Sequence, residues 1–294
     1  MKKLKIGIFG VGAIGSVVSF LIEEGHDMYY YNRSSRTEIR VERAGVLCQR
    51  NISLSTVEQV FPLDWLVICI KEYHYVNALV DIKQLVQPET KIVVIRNGLF
   101  LSEPLLLFTS RDHILECMID CPTQICPDGH FLQLRKAKMI IESVELAEAW
   151  KRICTSDNCE IHITEDFLSA SWKKLIESSA LGSIQTLSGE ASWIFMDREV
   201  EDLYIRIAKE GIHVAKASGA KIEDNFLEKL LVKLKRYPSD KESSMLTDRK
   251  LGRPIEIYAK NGLISRMGKK YGIDTEINNL ITTLLRRTNS NQKK

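Results

Sequence analysis

The sequence predicts an α/β fold in which a parallel sheet with helices on both faces is followed by an all-helical C-terminal domain. Two observations carry this prediction. Short strand-like runs alternate with helix-like stretches in the first half of the chain, and parallel strands require crossovers of about a dozen residues or more. Beyond residue 164 the strand pattern stops and helical periodicity replaces it. We therefore expect two domains, residues 1–163 and residues 164–294.

The elements of the first domain can be taken in chain order. The pattern predicts strands at residues 5–9, 27–31, 65–70 and 91–95, with helices at residues 13–24 and 77–85 between them. Two further strands, residues 114–126 and 130–141, flank the turn Pro127-Asp128-Gly129. We expect this pair to form a hairpin that closes the far edge of the sheet.

Helical periodicity continues through the second domain. Apolar residues recur at the spacing of one helix face between residues 200 and 215, and Gly219 follows as the expected helix C-cap. Further helices are predicted at residues 166–181, 224–235, 254–270 and 275–287.

Composition excludes several classes of protein. The 294 residues are 45% apolar and 27% charged, which excludes a disordered chain. The net charge of +3 gives no footprint for nucleic acid, and no apolar run reaches the roughly 20 residues of a membrane helix. Seven cysteines without a C-x-x-C pair argue against a disulfide framework and against a metal site. We expect a cytoplasmic protein with reduced thiols.

A glycine-rich turn joins the first strand to the first helix, with the sequence Gly10-Val11-Gly12-Ala13-Ile14-Gly15. Gly10 would permit the tight turn, Gly12 would let the backbone approach a pyrophosphate, and Gly15 would let the helix pack closely on the strand. The motif therefore indicates a Rossmann-type dinucleotide-binding sheet. The alternative is an accidental glycine-rich turn.

The end of the second strand indicates which dinucleotide is bound. Enzymes that use NAD place an acidic residue there to bind the ribose hydroxyl. This chain has Asn32-Arg33, and a guanidinium matches a phosphate in both geometry and charge. Arg33, helped by Arg36, therefore favours NADP. The alternative is a pair of solvated loop arginines.

Two polar positions follow later strands, at the sheet edge where open α/β folds bind ligands. Lys71 comes directly after residues 65–70, and Asn97-Gly98 comes directly after residues 91–95. The alternatives are a surface lysine and an ordinary turn.

These motifs resemble the ketopantoate reductase family (2-dehydropantoate 2-reductase) along nearly the whole chain. The matching pieces are the glycine turn, Arg33, Ile70-Lys71, Asn97-Gly98, Trp172-Lys173-Lys174-Leu175, Ser243-Ser244-Met245-Leu246-Thr247-Asp248, and Glu256 with Asn261-Gly262. The resemblance implies an oxidoreductase that uses NADPH to reduce the ketone of 2-dehydropantoate, giving (R)-pantoate for pantothenate biosynthesis.

The resemblance also implies roles for single residues. Lys174 would be the catalytic lysine that donates a proton to the ketone oxygen, and Glu256 would hold the substrate hydroxyl. Ser244 would bind the substrate carboxylate, Asn97 would bridge cofactor and substrate, and Lys71 would lie beside the nicotinamide. From the residues alone, Lys174 is equally a solvated lysine. Glu256 has Lys260 four residues on and could form a surface ion pair, and the serines could cap a helix.

The departures from the family pattern fall on the substrate side. Ser178 and Gly182 stand where the family carries two substrate-facing asparagines, Lys241 replaces a third, and Tyr258 replaces an aspartate. Two other functions therefore stay open: a related reductase of another 2-keto acid, and a catalytically silent regulatory protein that binds a dinucleotide. The expected partner is a small 2-keto acid, with no nucleic acid and no membrane, and a homodimer is left open.

Overall fold

The computed structural model describes residues 2–58 and 62–291. They form two compact units, one within Met1–Arg96 and Phe100–Phe167 and the other within Asn97–Leu99 and Leu168–Lys294. The division predicted between residues 163 and 164 stays a prediction. All seven cysteines are free thiols in the structure.

The first unit contains eleven described strands and three helices. The strands are β1 (Lys5–Phe9), β2 (Asp27–Tyr31), β3 (Glu38–Arg43), β4 (Val46–Asn51), β5 (Trp65–Ile68), β6 (Lys91–Ile95), β7 (Ile114–Asp120), β8 (Thr123–Ile125), β9 (Phe131–Gln133), β10 (Ala137–Glu142) and β11 (Cys159–Thr164). The helices are α1 (Ala13–Ser19), α2 (Glu72–Leu85) and α3 (Glu145–Ile153).

Seven of these strands form the main sheet, in the order β11-β10-β7-β6-β5-β1-β2. Every neighbouring pair is parallel except β7 and β10, which are antiparallel. β1 lies between β2 and β5, with Phe9 opposite both Tyr31 and Ile68. The carboxyl ends of these three strands therefore meet at one edge of the sheet, and this sheet followed by helices confirms the predicted fold class.

The main sheet is buried on both faces, which explains its continuous apolar runs. All four residues of β5 are buried. Trp65 and Val67 belong to one apolar cluster and Leu66 and Ile68 to another, because successive side chains of a strand point to opposite faces. Trp150 of α3 packs against Trp65 at 5.5 Å between ring centroids and covers the first face.

The predicted hairpin exists in part, but its place was wrong. β8 and β9 pair antiparallel around the turn at residues 127–129, yet they belong to a second sheet with the order β4-β3-β9-β8. The far edge of the main sheet is β11 instead. Pro122 lies between the end of β7 at Asp120 and the start of β8 at Thr123, and it has no N–H to donate to a ladder, so the long strand breaks there and its two parts join different sheets.

The second unit is helical. Its helices are α4 (Phe167–Ser188), α5 (Arg198–Ala217), α6 (Phe226–Lys235), α7 (Ser244–Lys250), α8 (Asn261–Tyr271) and α9 (Glu276–Asn291). Asp197 caps α5 by accepting from the N–H of Glu199 at 2.7 Å. The C-cap is Ser218, one residue before the predicted Gly219, and Gly219 has φ +91°. Among the described helices none is long and apolar enough to span a bilayer.

Several predicted helix boundaries were wrong. α1 ends at Ser19 and not at residue 24, and α2 begins at Glu72 and not at residue 77. α4 continues past residue 181 to Ser188, and Gly182 within it lets α7 pack closely, since a Cβ there would lie 2.8 Å from the sulfur of Met245. The helix predicted at residues 254–270 begins only at Asn261. Glu256 therefore lies in an irregular segment, and its four-residue spacing from Lys260 is not that of one helix face.

The turn between β1 and α1 requires two of its three glycines. Gly10 has φ +99°, where a side chain is strained, and a Cβ there would lie 2.9 Å from the carbonyl oxygen of Cys69. A Cβ on Gly15 would lie 1.9 Å from the carbonyl oxygen of Gly10. Gly12 differs, because a Cβ at residue 12 would have no atom within 4 Å and the φ of −84° suits any residue.

Gly15→Ala should therefore destabilise the protein, because the strand end and the helix must separate to admit the methyl group. We expect a loss of about 3 kcal/mol, which lowers Tm by roughly 6–12 °C for a unit of this size. Gly12→Ala is the matched control and should cost no more than about 1 kcal/mol. Thermal unfolding followed by circular dichroism measures both, and equal Tm values for the two variants would contradict this account of the turn.

Candidate functional site

Three hydrogen bonds, two of them between backbone groups, fix the glycine turn at the edge of the main sheet. The N–H of Gly10 donates to the carbonyl of Tyr31 at 2.8 Å, and the N–H of Cys69 donates to the carbonyl of Phe9 at 2.8 Å. The N–H of Val11 donates to Oδ1 of Asn32 at 3.1 Å. The turn is thus held to the ends of both neighbouring strands.

The open space at Gly12 fits a dinucleotide. Gly12 is the N-cap of α1, whose first turn carries no acidic side chain that would repel a phosphate. Helix N–H groups and a positive dipole end attract an anion at this position. Because the fold does not need glycine at residue 12, the missing side chain leaves room that a pyrophosphate would take.

Arg33 and Lys71 lie at the same sheet edge as the glycine turn. Arg33 follows β2 and is exposed, with Nη1 3.2 Å from Nδ1 of His74 in α2. Partial burial, together with the charge of Arg33, lowers the pKa of His74. Lys71 is the half-buried N-cap residue of α2. Arg36 is directed elsewhere, since its guanidinium stacks over the Phe131 ring of the second sheet at 5.4 Å.

In the second unit, α4 carries two adjacent lysines. Lys173 forms an ion pair with Glu223 at 2.7 Å, which lowers the pKa of that exposed carboxyl. Lys174, the predicted catalytic residue, follows Lys173 directly, and both lysines are half-buried between the buried Trp172 and Leu175.

Asn97 and Glu256 are brought together. Both lie in the second unit, and Nδ2 of Asn97 donates to Oε2 of Glu256 at 3.1 Å. Gly98 has φ +117° and so permits the turn that follows Asn97. Glu256 is only 3% exposed. A carboxylate so far from water needs hydrogen-bond donors, and the amide of Asn97 is one of them.

Ser244 and Ser243 have separate positions. Ser243 caps α7, with its Oγ accepting from the N–H of Leu246 at 3.2 Å, and its own N–H donates to Oε1 of Gln185 at 2.7 Å. Ser244 is the first residue of α7 and is exposed. The capping role considered for the serine pair thus belongs to Ser243, while Ser244 is available to a ligand at a helix N-terminus.

Lys260 is a buried cation whose burial sequence reasoning missed. It is 4% exposed, and its Nζ donates to Oγ of Ser178 at 2.6 Å. The surface ion pair considered for Glu256 and Lys260 is wrong, because both residues are buried and the segment between them is irregular. The available signal was the apolar surroundings of this lysine in sequence, between Ile257-Tyr258-Ala259 and the start of α8.

Three other positions that depart from the family pattern are Lys241, Gly182 and Tyr258, and their contacts or exposure are as follows. The carbonyl of Lys241 accepts from Nε2 of Gln185 and from Oγ of Ser192, both at 2.9 Å, and its ammonium lies over the ring of Tyr237. Gly182 makes room for the side chain of Met245. Tyr258 is 46% exposed.

Family models match both halves of the chain. The model described as Ketopantoate reductase PanE/ApbA matches residues 6–145, and the one described as Ketopantoate reductase PanE/ApbA C terminal matches residues 166–289. The chain is 25% identical over 283 residues to 2-dehydropantoate 2-reductase of Caulobacter vibrioides, covering 95% of this chain and 97% of that protein. It is 26% identical over 284 residues to the enzyme of that name from Mycobacterium tuberculosis, and the match covers 95% of this chain and 96% of that protein.

Solved structures share the fold over nearly the full length. The PanE/ApbA family ketopantoate reductase from Ralstonia eutropha JMP134 has a TM-score of 0.89 at 22% identity, covering 99% of this chain and 100% of that one. The dimeric ketopantoate reductase from Staphylococcus aureus has a TM-score of 0.86 at 20% identity, covering 98% and 100%. The structure of D-mandelate dehydrogenase with NADH and anilino(oxo)acetate has a TM-score of 0.87 at 17% identity, and the match covers 99% of this chain and 100% of that one. This chain belongs to the ketopantoate reductase family, whose members are dinucleotide-binding oxidoreductases.

Proposed function

We propose that this protein reduces the ketone of a small 2-keto acid with NADPH, and that its substrate is ketopantoate, giving (R)-pantoate for pantothenate biosynthesis. The observation that carries the proposal is the buried carboxylate of Glu256, hydrogen-bonded by Asn97, in the same unit as Lys174. A small substrate with a hydroxyl group, such as ketopantoate, can donate to such a carboxylate. The names of the relatives from Caulobacter vibrioides and Mycobacterium tuberculosis support the same substrate.

Lys174 would supply the proton. When bound, the dihydronicotinamide supplies a hydride to the ketone carbon, and the electron pair of the carbonyl π bond moves to oxygen. An ammonium aimed at that oxygen stabilises the growing negative charge and donates the proton that completes the hydroxyl group. Lys174 then regains a proton from water, so the reaction consumes one NADPH and one proton for each ketone.

Glu256, Asn97 and Ser244 would orient the substrate. The carboxylate of Glu256, aligned by the Asn97 amide, would accept a hydrogen bond from the substrate hydroxyl. Ser244, exposed at the start of α7, would donate its hydroxyl to the substrate carboxylate near the positive end of the helix. Holding both ends of a small molecule fixes the ketone for attack, which lowers the entropic part of the barrier.

The cofactor would be NADP. Arg33 is exposed and lies one residue beyond Asn32, whose side chain holds the glycine turn, and this position supports a role of its guanidinium in binding the 2′-phosphate of the adenosine ribose. The motif Gly10-Val11-Gly12-Ala13-Ile14-Gly15 would bind the pyrophosphate. Lys71 would lie beside the nicotinamide. By likeness to the dimeric enzyme from Staphylococcus aureus we also propose a homodimer, and the free thiols agree with a cytoplasmic location.

A second candidate substrate is another 2-keto acid. Ser178 and Gly182 offer no side-chain amide to a substrate, and amide groups are what a site uses to select a small polar molecule. The fold is shared with D-mandelate dehydrogenase, solved with NADH and anilino(oxo)acetate. Purified protein mixed with NADPH and each member of a 2-keto acid panel, including benzoylformate, separates the candidates by kcat/KM.

We expect ketopantoate to give the highest kcat/KM in that panel, measured as loss of NADPH absorbance. A higher value for another 2-keto acid would assign the second candidate. NADPH binding by calorimetry without turnover of any member would instead favour a regulatory protein that binds the dinucleotide and has no reductase activity.

Lys174→Ala should lower kcat by about 10²- to 10⁴-fold, because the general acid and the charge that stabilises the oxyanion are both lost. NADPH affinity, measured by calorimetry, should stay within about twofold because Lys174 belongs to the other unit. Lys173→Ala is the matched control and should change kcat by less than about twofold, since its ammonium is engaged with Glu223. Equal losses in the two variants would exclude the assigned role.

Arg33→Ala should reduce the preference for NADPH over NADH by about 10- to 100-fold, through a higher KM for NADPH and an unchanged KM for NADH. Steady-state kinetics with both dinucleotides measures the ratio. Arg36→Ala is the control, because its guanidinium stacks on Phe131, and it should leave the ratio within about threefold. A wild-type enzyme that prefers NADH would show that the proposed cofactor is wrong.

A further inference from the structure

A buried ammonium lies beside the helix that carries the proposed catalytic lysine. Lys260 is the N-cap residue of α8, and its backbone carbonyl accepts from the N–H groups of Leu263 and Ile264 at 2.9 and 3.2 Å. Its side chain is 4% exposed and donates to Oγ of Ser178 at 2.6 Å. Both the backbone and the ammonium of this lysine are therefore fixed in place.

Ser178 connects Lys260 to the reaction. Residues four apart on a helix are neighbours on one face, so Ser178 lies one turn from Lys174 along α4. The hydroxyl that binds the Lys260 ammonium is thus adjacent to the residue that would protonate the ketone. In a 2-keto acid the ketone and the carboxylate are on adjacent carbons, so the groups that bind them must also be neighbours.

The ammonium of Lys260 is a group that can attract an anion, because it is positively charged and buried. The interaction of an ammonium with a carboxylate is several times stronger in a buried site than in water, because the effective dielectric constant is lower.

We propose that Lys260, with its ammonium held in place by Ser178, forms a subsite for the carboxylate of the 2-keto acid, so that this protein selects charged 2-keto acids over neutral ketones of the same shape. The hydroxyl of Ser178 donates to the carbonyl of Leu175 at 3.3 Å and accepts from Lys260, so Ser178 orients the ammonium. The subsite rests on the proposed function, because its place beside the ketone depends on the role of Lys174. It makes Lys260 a specificity-determining residue that no motif of the sequence indicates. Ser244 then adds a hydrogen bond to the substrate without having to supply the positive charge.

Calorimetry tests the subsite with a pair of ligands that differ only in charge. We choose 3,3-dimethyl-2-oxobutanoate and its neutral amide, titrated into protein saturated with NADP⁺ or NAD⁺, whichever binds more tightly. The oxidised cofactor has no hydride to give, so binding is measured whether or not the protein is a reductase. The wild type should bind the acid at least about tenfold more tightly than the amide.

Lys260→Met keeps the length and apolar stem of the side chain and removes the charge. It should weaken binding of the acid by about 10- to 100-fold and change binding of the amide by less than about threefold. Ser178→Ala is a second, smaller change that should weaken acid binding by about threefold to tenfold. Lys173→Met, which removes a surface ammonium from the same helix, is the control and should leave both ligands unaffected.

The acid and the amide together distinguish a carboxylate subsite from a purely structural role of Lys260. Equal losses for acid and amide in Lys260→Met would assign the structural role and overturn the proposal, as would a wild type that does not prefer the acid. An unchanged dinucleotide Kd and Tm show that the variants are folded.

If the wild type binds the acid but never reduces it with NADPH, the proposed function fails while the subsite stands. If the wild type reduces 2-keto acids but Lys260→Met keeps the preference for the acid, the subsite fails while the proposed function stands.

Discussion

A side chain at residue 15 would overlap the carbonyl oxygen of Gly10, and the first unit is arranged around that close approach of α1 to the end of β1. The approach sets where the helix begins and therefore where Gly12 lies. The register of the strands aligns the ends of β2 and β5 with the end of β1, since Phe9 is opposite both Tyr31 and Ile68. The residues after these strands, Asn32-Arg33 and Lys71, are consequently at the same edge as the glycine turn. A dinucleotide site follows from backbone geometry before any side-chain chemistry is considered.

The second unit depends on a different constraint, the burial of charge. Glu256 and Lys260 are 3% and 4% exposed, and each has a hydrogen-bond partner in the same unit, Asn97 and Ser178. Buried charged groups of this kind often cost stability, and apolar replacements of similar volume are frequently neutral or stabilising. Their position in the irregular segment before α8 fits the binding roles that we propose for them, in which a polar substrate would contact groups that water does not reach.

Sequence reasoning succeeded where one physical signal dominated. The strands β1, β5 and β6 are buried on both faces, so their apolar runs are nearly continuous and easily distinguished from helices. It missed β3 and β4, because half or more of their residues are polar and β4 has no buried residue. Their tight turn at Ala44-Gly45, with φ of +50° and +76°, was the signal that could have indicated a hairpin.

The second-unit residues show the limit of local patterns. Pro254 suggested a helix start, and a helix through residue 256 made Glu256 and Lys260 look like a surface pair. The real helix begins at Asn261, and burial of the preceding segment depends on packing that no local window contains. The glycine motif was different, because the strand before it, the turn and the helix after it can all be predicted from one short stretch of sequence. The contacts of Asn97 and Lys260 are with residues 159 and 82 positions away, and only the folded chain reveals them.

The most direct measurement of the central claim follows the hydride itself. Protein incubated with ketopantoate and NADPH deuterated on each face of the nicotinamide C4 in turn should yield pantoate carrying one deuterium at C2 from one of the two cofactors, detected by mass spectrometry. The same preparation with Lys174→Ala should yield almost none in the same time. Pantoate without deuterium from either cofactor, or no hydroxy acid from ketopantoate or from any other 2-keto acid, would contradict the assignment of this protein as a reductase.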